Sequence, residues 1–307
     1  MPSSTNWWIL TVYSRLLRRV STYIRQRGLL EKNKPVLVCV SGGADSVALL
    51  DVLLRAGYTC VAAHCNFHLR GEESNRDEAF VRTLCNRLNV PLEVQAFDTA
   101  GYAQEHGLSI EMAARELRYR WFDEAAQAHG CQAIAVAHHQ NDQAETLLLN
   151  LRRGTGIRGL AGMRPLSPNP MAPESVPVVR PLLCTTRDYI EHYLRDKRHQ
   201  DWVTDSTNSD TAITRNAIRE QLRSYTKAEV EHMSQTAEYI QGYIDLLEGK
   251  ETREAGLVRL YESLRGCNFA EIDKIYDALL RGEGGKTFTS KTHKATIKHK
   301  KLCVTSV

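Results

Sequence analysis

A short turn rich in glycine and hydroxyl groups is the part of this chain best suited to bind an anion. The segment S-G-G-A-D-S follows an apolar, strand-like run at residues 36–40 and opens an apolar helical pattern. A turn at a helix N-terminus offers unpaired backbone N–H groups and the positive end of the helix dipole. Its glycines allow close approach to a phosphate, and its carboxylate can hold a divalent cation. The pattern predicts a phosphate site formed by Ser41, Gly42, Gly43, Ala44, Asp45 and Ser46.

The alternative for this segment is an ordinary βα turn whose helix is capped by Ser41 or Asp45. The Walker A pattern, G-x-x-x-x-G-K followed by Ser or Thr, is absent from the sequence. A phosphate site of the Walker type is therefore excluded.

A second polar segment, H-H-Q-N-D-Q-A-E-T at residues 138–146, follows a strand-like run at 132–137. Asp142 and Glu145 lie one helical turn apart, so both carboxylates can face one cleft. Paired carboxylates suit Mg²⁺ binding or general-base chemistry. The alternative is that they only stabilise the N-terminus of their helix.

Three more segments combine charge with polar side chains. Residues 64–74 follow the second strand-like run, and residues 152–162 form a basic, glycine-rich stretch that we interpret as a substrate loop. On the predicted helix at 109–128, Arg115 lies four residues after Glu111. Arginine is the side chain best shaped to hold phosphate, although an i,i+4 surface ion pair is the alternative.

Regularly alternating strands and helices must position these segments. We predict strands near 36–40, 59–64, 91–96 and 132–137, and helices near 46–56, 75–89, 109–128 and 142–152. Repeated βα units of this length favour a doubly wound, mostly parallel sheet that is covered on both faces. Ligands of such sheets bind at the carboxyl ends of the strands, which is where the polar segments fall.

The second half of the chain has a different pattern. Six of the nine prolines lie within residues 165–181, so we predict an exposed loop or crossover over 164–180. Beyond it the periodicity predicts helices over residues 186–198, 214–224, 227–247 and 269–280 and strands over 286–307. We therefore expect a catalytic domain over residues 1–222 and a smaller α+β domain over 223–307.

Composition narrows the functional classes. The chain has 307 residues, 42% of them hydrophobic, and contains no apolar run of 18 residues, so no membrane span is expected. Its eight cysteines include no C-x-x-C pair, which indicates free thiols and a cytoplasmic protein. The net charge is +4, and six lysines but no acidic residue follow Glu283. This basic end is a candidate contact for nucleic-acid phosphates, or a solvated positive face.

Taken in order, these motifs resemble the tRNA(Ile)-lysidine synthetases, which belong to the PP-loop or N-type ATP pyrophosphatase superfamily. The resemblance rests on S-G-G-A-D-S at 41–46, N-F-H-L-R-G-E-E-S at 66–74, E-M-A-A-R-E-L-R-Y at 111–119, H-H-Q-N-D-Q-A-E-T at 138–146 and R-G-T-G-I-R-G-L-A-G-M at 153–163. D-S-T-N at 205–208 and T-R-N at 214–216 continue it. The chain departs from the family at Asn141, where aspartate is usual, and at Phe67, where histidine is usual.

The resemblance implies an adenine nucleotide alpha hydrolase-like fold and a carbon–nitrogen ligase. Such an enzyme uses ATP and Mg²⁺ to join free L-lysine to C2 of the wobble cytidine of tRNA(Ile) with a CAU anticodon, through an adenylated tRNA. It also implies that the C-terminal domain binds tRNA, and it suggests a homodimer. A PP-loop tRNA thiolase and a non-catalytic tRNA- or nucleotide-binding module are the alternatives. A thiolase often uses a C-x-x-C pair, and a non-catalytic module would be expected to lack an acidic residue of the site.

The resemblance also assigns roles to single residues. ATP would be held by the 41–46 turn together with four side chains, those of His64, Asn66, Arg115 and His138. Asp45 and Asp142 would hold Mg²⁺. Glu145 would accept a proton from the lysine amine, and Arg215 or Arg219 would balance charge on the adenylated intermediate.

Overall fold

A computed structural model describes residues 6–203, 212–264, 267, 269–289, 293–298 and 301–306. Its first helix, α1, spans Asn6–Arg27. Leu16, Val20 and Ile24 are buried on one face of this helix, as their spacing predicts for an amphipathic helix. The D-S-T-N motif at 205–208, which forms part of the family resemblance, lies outside the described residues.

A six-stranded sheet forms the centre of the first half of the chain. Its strands are β1 (Val36–Cys39), β2 (Cys60–Asn66), β3 (Leu92–Ala96), β4 (Ile134–Ala135), β5 (Leu166–Ser167) and β6 (Val178–Val179). The strand order is β3-β2-β1-β4-β6-β5, with parallel pairing throughout except between β5 and β6. This confirms the predicted α/β fold with a mostly parallel sheet.

Helices connect the parallel strands. They are α2 (Ala44–Arg55), α3 (Glu72–Leu88), α4 (Thr99–His106), α5 (Ile110–Ala128) and α6 (Gln140–Arg153). Tyr119, Phe122 and Ala126 of α5 pack on Leu37 and Ile134 of the sheet, so one face of this helix completes the core. The sequence analysis did not predict α4, which is a short helix capped by Asp98.

The strand order places a crevice at the centre of the sheet. In the sheet, β1 lies between β2 and β4. The chain continues from β1 to β2 on one side, whereas from β4 it continues to β5 and β6 on the other side. Neighbouring parallel strands that diverge in this way leave a crevice beyond their carboxyl ends. The 41–46 turn follows β1 and the segment 138–146 follows β4, so both open onto this crevice.

The prediction of a loop or crossover over residues 164–180 was wrong at both of its ends. Val178 and Val179 are buried and form β6, which pairs with β4 and β5. The strand is only two residues long, so it leaves no periodic pattern for a sequence to show. After it come a 3₁₀ turn (Pro181–Cys184), the helix α8 (Arg187–His192) and a π-helical segment (Tyr193–Arg198).

The remaining elements are mostly helical until the C-terminal sheet. The helices are α7 (Ile157–Leu160), α9 (Ala212–Arg223), α10 (Lys227–Leu247), α11 (Arg253–Ser263) and α12 (Phe269–Leu280). Of these, α10 and α12 have the predicted bounds, whereas α7 and α11 were not predicted. The antiparallel strands β7 (Thr287–Thr289), β8 (His293–Lys298) and β9 (Lys301–Ser306) confirm the strands expected there.

The chain divides into two compact units. The first comprises Met1–Glu145 and Arg164–Val230, and the second comprises Thr146–Met163 and Glu231–Val307. The second unit has its own apolar core, which includes Leu257, Ile272, Ile275 and Ala295. The domain boundary expected at residue 222 stays a prediction. None of the helices in the described part of the chain is both long and apolar enough to cross a bilayer.

Candidate active site

The turn between β1 and α2 leads into a helix whose N-cap residue is a glycine. Gly43 is the N-cap residue of α2 and has no side chain to cap the helix, and its own N–H donates to Ser41 Oγ at 3.4 Å. Ser46 Oγ accepts a hydrogen bond from Ser41 N at 3.1 Å and donates one to Gly43 O at 2.9 Å. The first N–H groups of a helix have no partners within it, so they are available to an anion. The N-cap position is thus occupied by Gly43 and not by Ser41 or Asp45, and phosphate binding by the turn stays a prediction.

Most of the predicted nucleotide ligands line one cavity of about 350 Å³. They come from the turn, from α5 and from the segment after β4: Ser41, Gly43, Asp45, Ser46, Arg115 and His138. The predicted metal ligand Asp142 lines the same cavity. Gly42 and Ala44 belong to the turn but are not among the lining residues described. The fold thus brings together side chains separated by about a hundred residues of sequence.

His64 and Asn66 occupy different positions from the other predicted nucleotide ligands. His64 Nδ1 lies 2.8 Å from Val40 O within the buried sheet, and burial lowers the pKa of this imidazole despite that contact. Asn66 donates to Glu78 Oε2 at 2.9 Å and accepts from His68 N at 3.0 Å. Neither residue is among the described lining of the cavity, so their roles with a nucleotide stay predictions.

His139 lies between the two predicted metal ligands. Its Nε2 is 3.5 Å from Asp45 Oδ1, and its Nδ1 is 3.4 Å from Asp142 Oδ2. Burial favours the neutral imidazole, but the two carboxylates outweigh it and raise the pKa of His139. Burial likewise opposes ionisation of Asp45, yet His139 and Arg187 hold the pKa of Asp45 below its ordinary value. The centre of the site is thus a cluster of opposite charges.

Several buried polar atoms at this point lack a hydrogen-bond partner among the described residues. They are Asp45 Oδ1, His138 Nδ1, His139 Nδ1, Gln140 Oε1, Thr185 Oγ1 and Thr186 Oγ1. Burial also lowers the pKa of His138 to about 4, which keeps this imidazole neutral. Buried polar groups in native proteins are nearly always satisfied by protein, water or a ligand. Their concentration here indicates a place where a polar ligand binds.

The carboxylates of Asp45 and Asp142 fit a divalent cation. Both line the same cavity, and the buried Oδ1 of Asp45 has a 3.5 Å ion-pair contact with His139 but accepts no hydrogen bond from the described residues. Magnesium prefers one or two carboxylates together with phosphate oxygens and water. The donor set therefore matches what the resemblance predicts for Mg²⁺, although metal binding itself stays a prediction.

A second cavity, of about 510 Å³, shares Asp142 with the first, and His139 is among its lining residues. Glu145 is buried at its wall, and Arg219 Nε donates to Glu145 Oε2 at 2.9 Å. The cavity is lined by charges of both signs, including Arg187, Asp188, Glu191, Arg219, Arg223 and Lys227. Such a lining suits a small ligand that carries both a carboxylate and an ammonium group.

Sequence reasoning missed two residues of the site, and the side chain of one residue that it did predict is not described by the structure. His139 stands in the H-H doublet after β4, which could have signalled it, whereas Arg187 begins a short helix with no distinctive pattern. Glu191, Asp45 and Asp142 together raise the pKa of Arg187 despite its burial. The side chain of Arg215 lies outside the described part of the structure, so its role stays a prediction.

Comparison with known protein families identifies the domain that contains the candidate site. A family model described as a PP-loop domain matches residues 12–225, and ATP binding follows from that domain. The solved tRNA thiolase NcsA from Methanococcus maripaludis, which carries a 4Fe–4S cluster, has a TM-score of 0.56 at 17% identity. The alignment covers 79% of this chain and 82% of the thiolase, and it shows a shared fold.

Curated relatives match between about two thirds and nearly all of this chain. A tRNA(Ile)-lysidine synthase from Parabacteroides distasonis is 44% identical over 95% of this chain and 70% of its own length. The enzyme of that name from Bacteroides thetaiotaomicron is 45% identical over 89% of this chain and 68% of its own length. One from Porphyromonas gingivalis is 54% identical over 69% of this chain and 45% of its own length.

Proposed function

Because this chain belongs to the tRNA(Ile)-lysidine synthase family, we propose that it forms lysidine. It joins free L-lysine to C2 of the wobble cytidine in tRNA(Ile) with a CAU anticodon, and it consumes ATP. The observation that carries the proposal is the pair of adjoining cavities. One is built on the PP-loop turn, the other contains Glu145 and Arg219, and Asp142 lines both.

The first cavity suits activation of the cytidine. The ring oxygen at C2 attacks the α-phosphorus of ATP, a new O–P bond forms, and the electron pair of the broken Pα–O bond leaves with pyrophosphate. N–H groups at the start of α2 and the hydroxyls of Ser41 and Ser46 would bind the charge that develops on pyrophosphate. Arg115 lines the same cavity and would bind phosphate oxygens.

Asp45 and Asp142 would hold Mg²⁺ in this cavity. Bound there, the ion would neutralise phosphate charge as pyrophosphate leaves. In the absence of the ion, His139 contacts both carboxylates and fixes their orientation. His139 N also donates a hydrogen bond to Asp142 Oδ2 at 2.9 Å, which anchors that side chain at the start of α6.

The second cavity suits the incoming lysine. Its amine attacks C2 of the activated cytidine, a C–N bond forms, and AMP leaves with the electron pair of the C–O bond. The amine must lose a proton, and Glu145 lies at the wall shared with the acidic residues Asp188 and Glu191. We propose that Glu145, whose carboxylate is oriented by Arg219, accepts this proton. Arg223 is placed to attract the lysine carboxylate.

The two alternative functions have weaker support. The tRNA thiolase resembles the chain in fold at 17% identity, but the sequence contains no C-x-x-C pair for sulfur or a cluster. A non-catalytic module would not need Asp45, Asp142 and Glu145, and all three are present at the two cavities.

Lysine incorporation tests the proposal. The protein is incubated with ATP, Mg²⁺, radiolabelled lysine and a transcript of tRNA(Ile) with a CAU anticodon. Methionine tRNA with the same anticodon serves as the control substrate, and the Asp45→Asn variant serves as the control protein. We expect label in the isoleucine tRNA alone and none with the variant. Equal labelling of both tRNAs, or none with a tRNA that still binds, would overturn the proposal.

A further inference from the structure

Two phenylalanines form a stacked pair beside the proposed ATP site. Phe67 follows β2 and Phe97 follows β3, and Phe97 N donates to Asn66 O at 2.9 Å. Because β2 and β3 are parallel neighbours, both residues emerge at the same edge of the sheet. Their ring centroids are 5.5 Å apart and the ring planes are inclined by 19°. This edge is also where the PP-loop turn lies.

The pair lines a separate cavity of about 420 Å³. Leu69, which is 48% exposed, lines it as well, so this part of the surface is apolar and open. Phe67 also lines the ATP cavity, whereas Phe97 is among the described lining of the apolar cavity alone. The two cavities therefore meet at the ring of Phe67.

Neighbouring side chains fix the rings and supply positive charge. Trp121 meets Phe97 edge-on, with centroids 6.2 Å apart and planes at 77°. The guanidinium of Arg118 lies 5.0 Å from the ring centroid of Phe67. Thr99 Oγ1 donates to Phe67 O at 3.2 Å. The result is a rigid aromatic surface with a cation beside it, which is the usual composition of a stacking site for unpaired nucleotides.

We propose that Phe67 and Phe97 form a stacking platform for one nucleobase of the tRNA, the one next to the wobble cytidine. This inference rests on the proposed function. The wobble cytidine must enter the ATP cavity to meet the α-phosphate, and Phe67 borders that cavity. A flanking base in a splayed anticodon loop can then reach the adjoining aromatic cavity. Phenylalanine offers no hydrogen bond, so the platform holds a base without reading its identity.

The adenine of ATP is the competing occupant, since Phe67 lines both cavities. Phe97 separates the two possibilities because it belongs to the described lining of the apolar cavity only. Replacement of Phe97 should therefore weaken tRNA binding and leave ATP binding unchanged.

The test uses the full chain with Phe97→Leu, which removes the ring, and Phe97→Tyr, which keeps it. Dissociation constants are measured for intact tRNA(Ile) and for two transcripts that lack the base on one or the other side of the wobble cytidine. A non-hydrolysable ATP analogue is titrated separately, and circular dichroism checks the fold of each variant. We expect Phe97→Leu to bind intact tRNA roughly tenfold more weakly and Phe97→Tyr to restore binding.

The effect of Phe97→Leu on each of the three transcripts shows whether Phe97 stacks on a base of the tRNA. On the transcript that lacks the stacked base, Phe97→Leu and the unchanged protein should bind equally well. An equal loss on all three transcripts, or a loss of ATP binding instead, would overturn the platform. The platform is also independent of catalysis in this assay: base-dependent binding by a protein that incorporates no lysine would overturn the proposed function alone.

Discussion

The ion pair between Glu145 and Arg219 belongs to the lysine step of the proposed reaction and not to the ATP step. Glu145 is 4% exposed, and Arg219 Nε lies 2.9 Å from its Oε2. The two residues are 74 positions apart and meet only through the fold. Because both line the second cavity, this contact should matter for lysine and not for ATP.

Arg219→Gln tests that division. A hydrogen bond between charged groups contributes about 1.5–3 kcal/mol, so its loss should lower kcat/KM for lysine about 10- to 100-fold. The kcat/KM for ATP should stay unchanged, as measured by steady-state lysine incorporation at varied concentrations of each substrate. Arg259→Gln, which breaks an exposed pair with Glu251 in the second unit, is the matched control and should change neither constant. An equal fall in both kcat/KM values would contradict the assignment.

The chemistry of the site could be predicted from residue type and position, but its charge balance could not. Asp45 and Asp142 follow neighbouring strands, so a parallel sheet brings them to one cavity. That His139 separates the two carboxylates depends on side-chain geometry that no spacing encodes. The same holds for Phe97, whose partner Phe67 is 30 residues away and follows another strand.

The PP-loop turn depends on one glycine more than on the other. Gly42 has φ +95°, a conformation that side chains disfavour, whereas Gly43 has φ −71°. A Cβ on Gly43 would have Ser41 Oγ at 3.6 Å as its nearest neighbour, which is an ordinary contact.

We therefore expect Gly42→Ala to lower the free energy of unfolding by about 1–3 kcal/mol. Gly43→Ala should lower it by less, about 0.5–1 kcal/mol, because alanine adopts this φ without strain and only the N-cap preference for glycine is lost. Urea unfolding followed by circular dichroism measures both. A Gly43→Ala variant as destabilised as Gly42→Ala would show that the strain does not lie where the backbone places it.

A buried carboxylate on α2 anchors the π-helical segment that leads to the turn. Asp51 accepts hydrogen bonds from Tyr193 Oη, from Arg55 Nε at 3.0 Å and from Arg198 Nε at 3.1 Å. Beyond that segment, Val203 N donates to Gly42 O at 2.9 Å. The network thus connects the helix that follows the turn with the chain that covers it.

Asp51→Asn should destabilise the protein by about 1–3 kcal/mol, because it removes the buried charged acceptor of hydrogen bonds from Tyr193, Arg55 and Arg198. The control is Glu31→Gln, which removes an exposed partner of Lys34 and should cost less than 1 kcal/mol. Thermal or urea unfolding gives both values. Similar small changes in the two variants would mean that the Asp51 network contributes no more than a surface ion pair.

Helices and strands were predictable where their pattern was long. The spacing of apolar residues gave the bounds of α10 and α12, and the apolar run gave β1. The two-residue strands β5 and β6 have no detectable period and form only because the sheet offers them a partner. The Asp98 and Thr252 caps of α4 and α11 were the available signals for those two helices, and both were overlooked.

The chain as a whole passes between its two compact units more than once. Residues 146–163, which contain the glycine-rich stretch predicted as a substrate loop, belong to the second unit. Within that unit, the buried Gln241 donates to Met163 O at 3.0 Å, and Arg158 pairs with Glu248 at 2.7 Å. The predicted boundary at residue 222 could not anticipate this, because linear composition does not show which distant segments pack together.

The central claim is that Asp45 serves the ATP step and Glu145 serves the lysine step. The most direct measurement follows ATP labelled at its α-phosphate in the presence of tRNA(Ile), with and without lysine. Glu145→Gln should transfer the label to tRNA and retain it even when lysine is added, whereas Asp45→Asn should transfer none. The unchanged protein should release the label as AMP once lysine is present. Failure of Glu145→Gln to label the tRNA, or normal labelling by Asp45→Asn, would contradict the account.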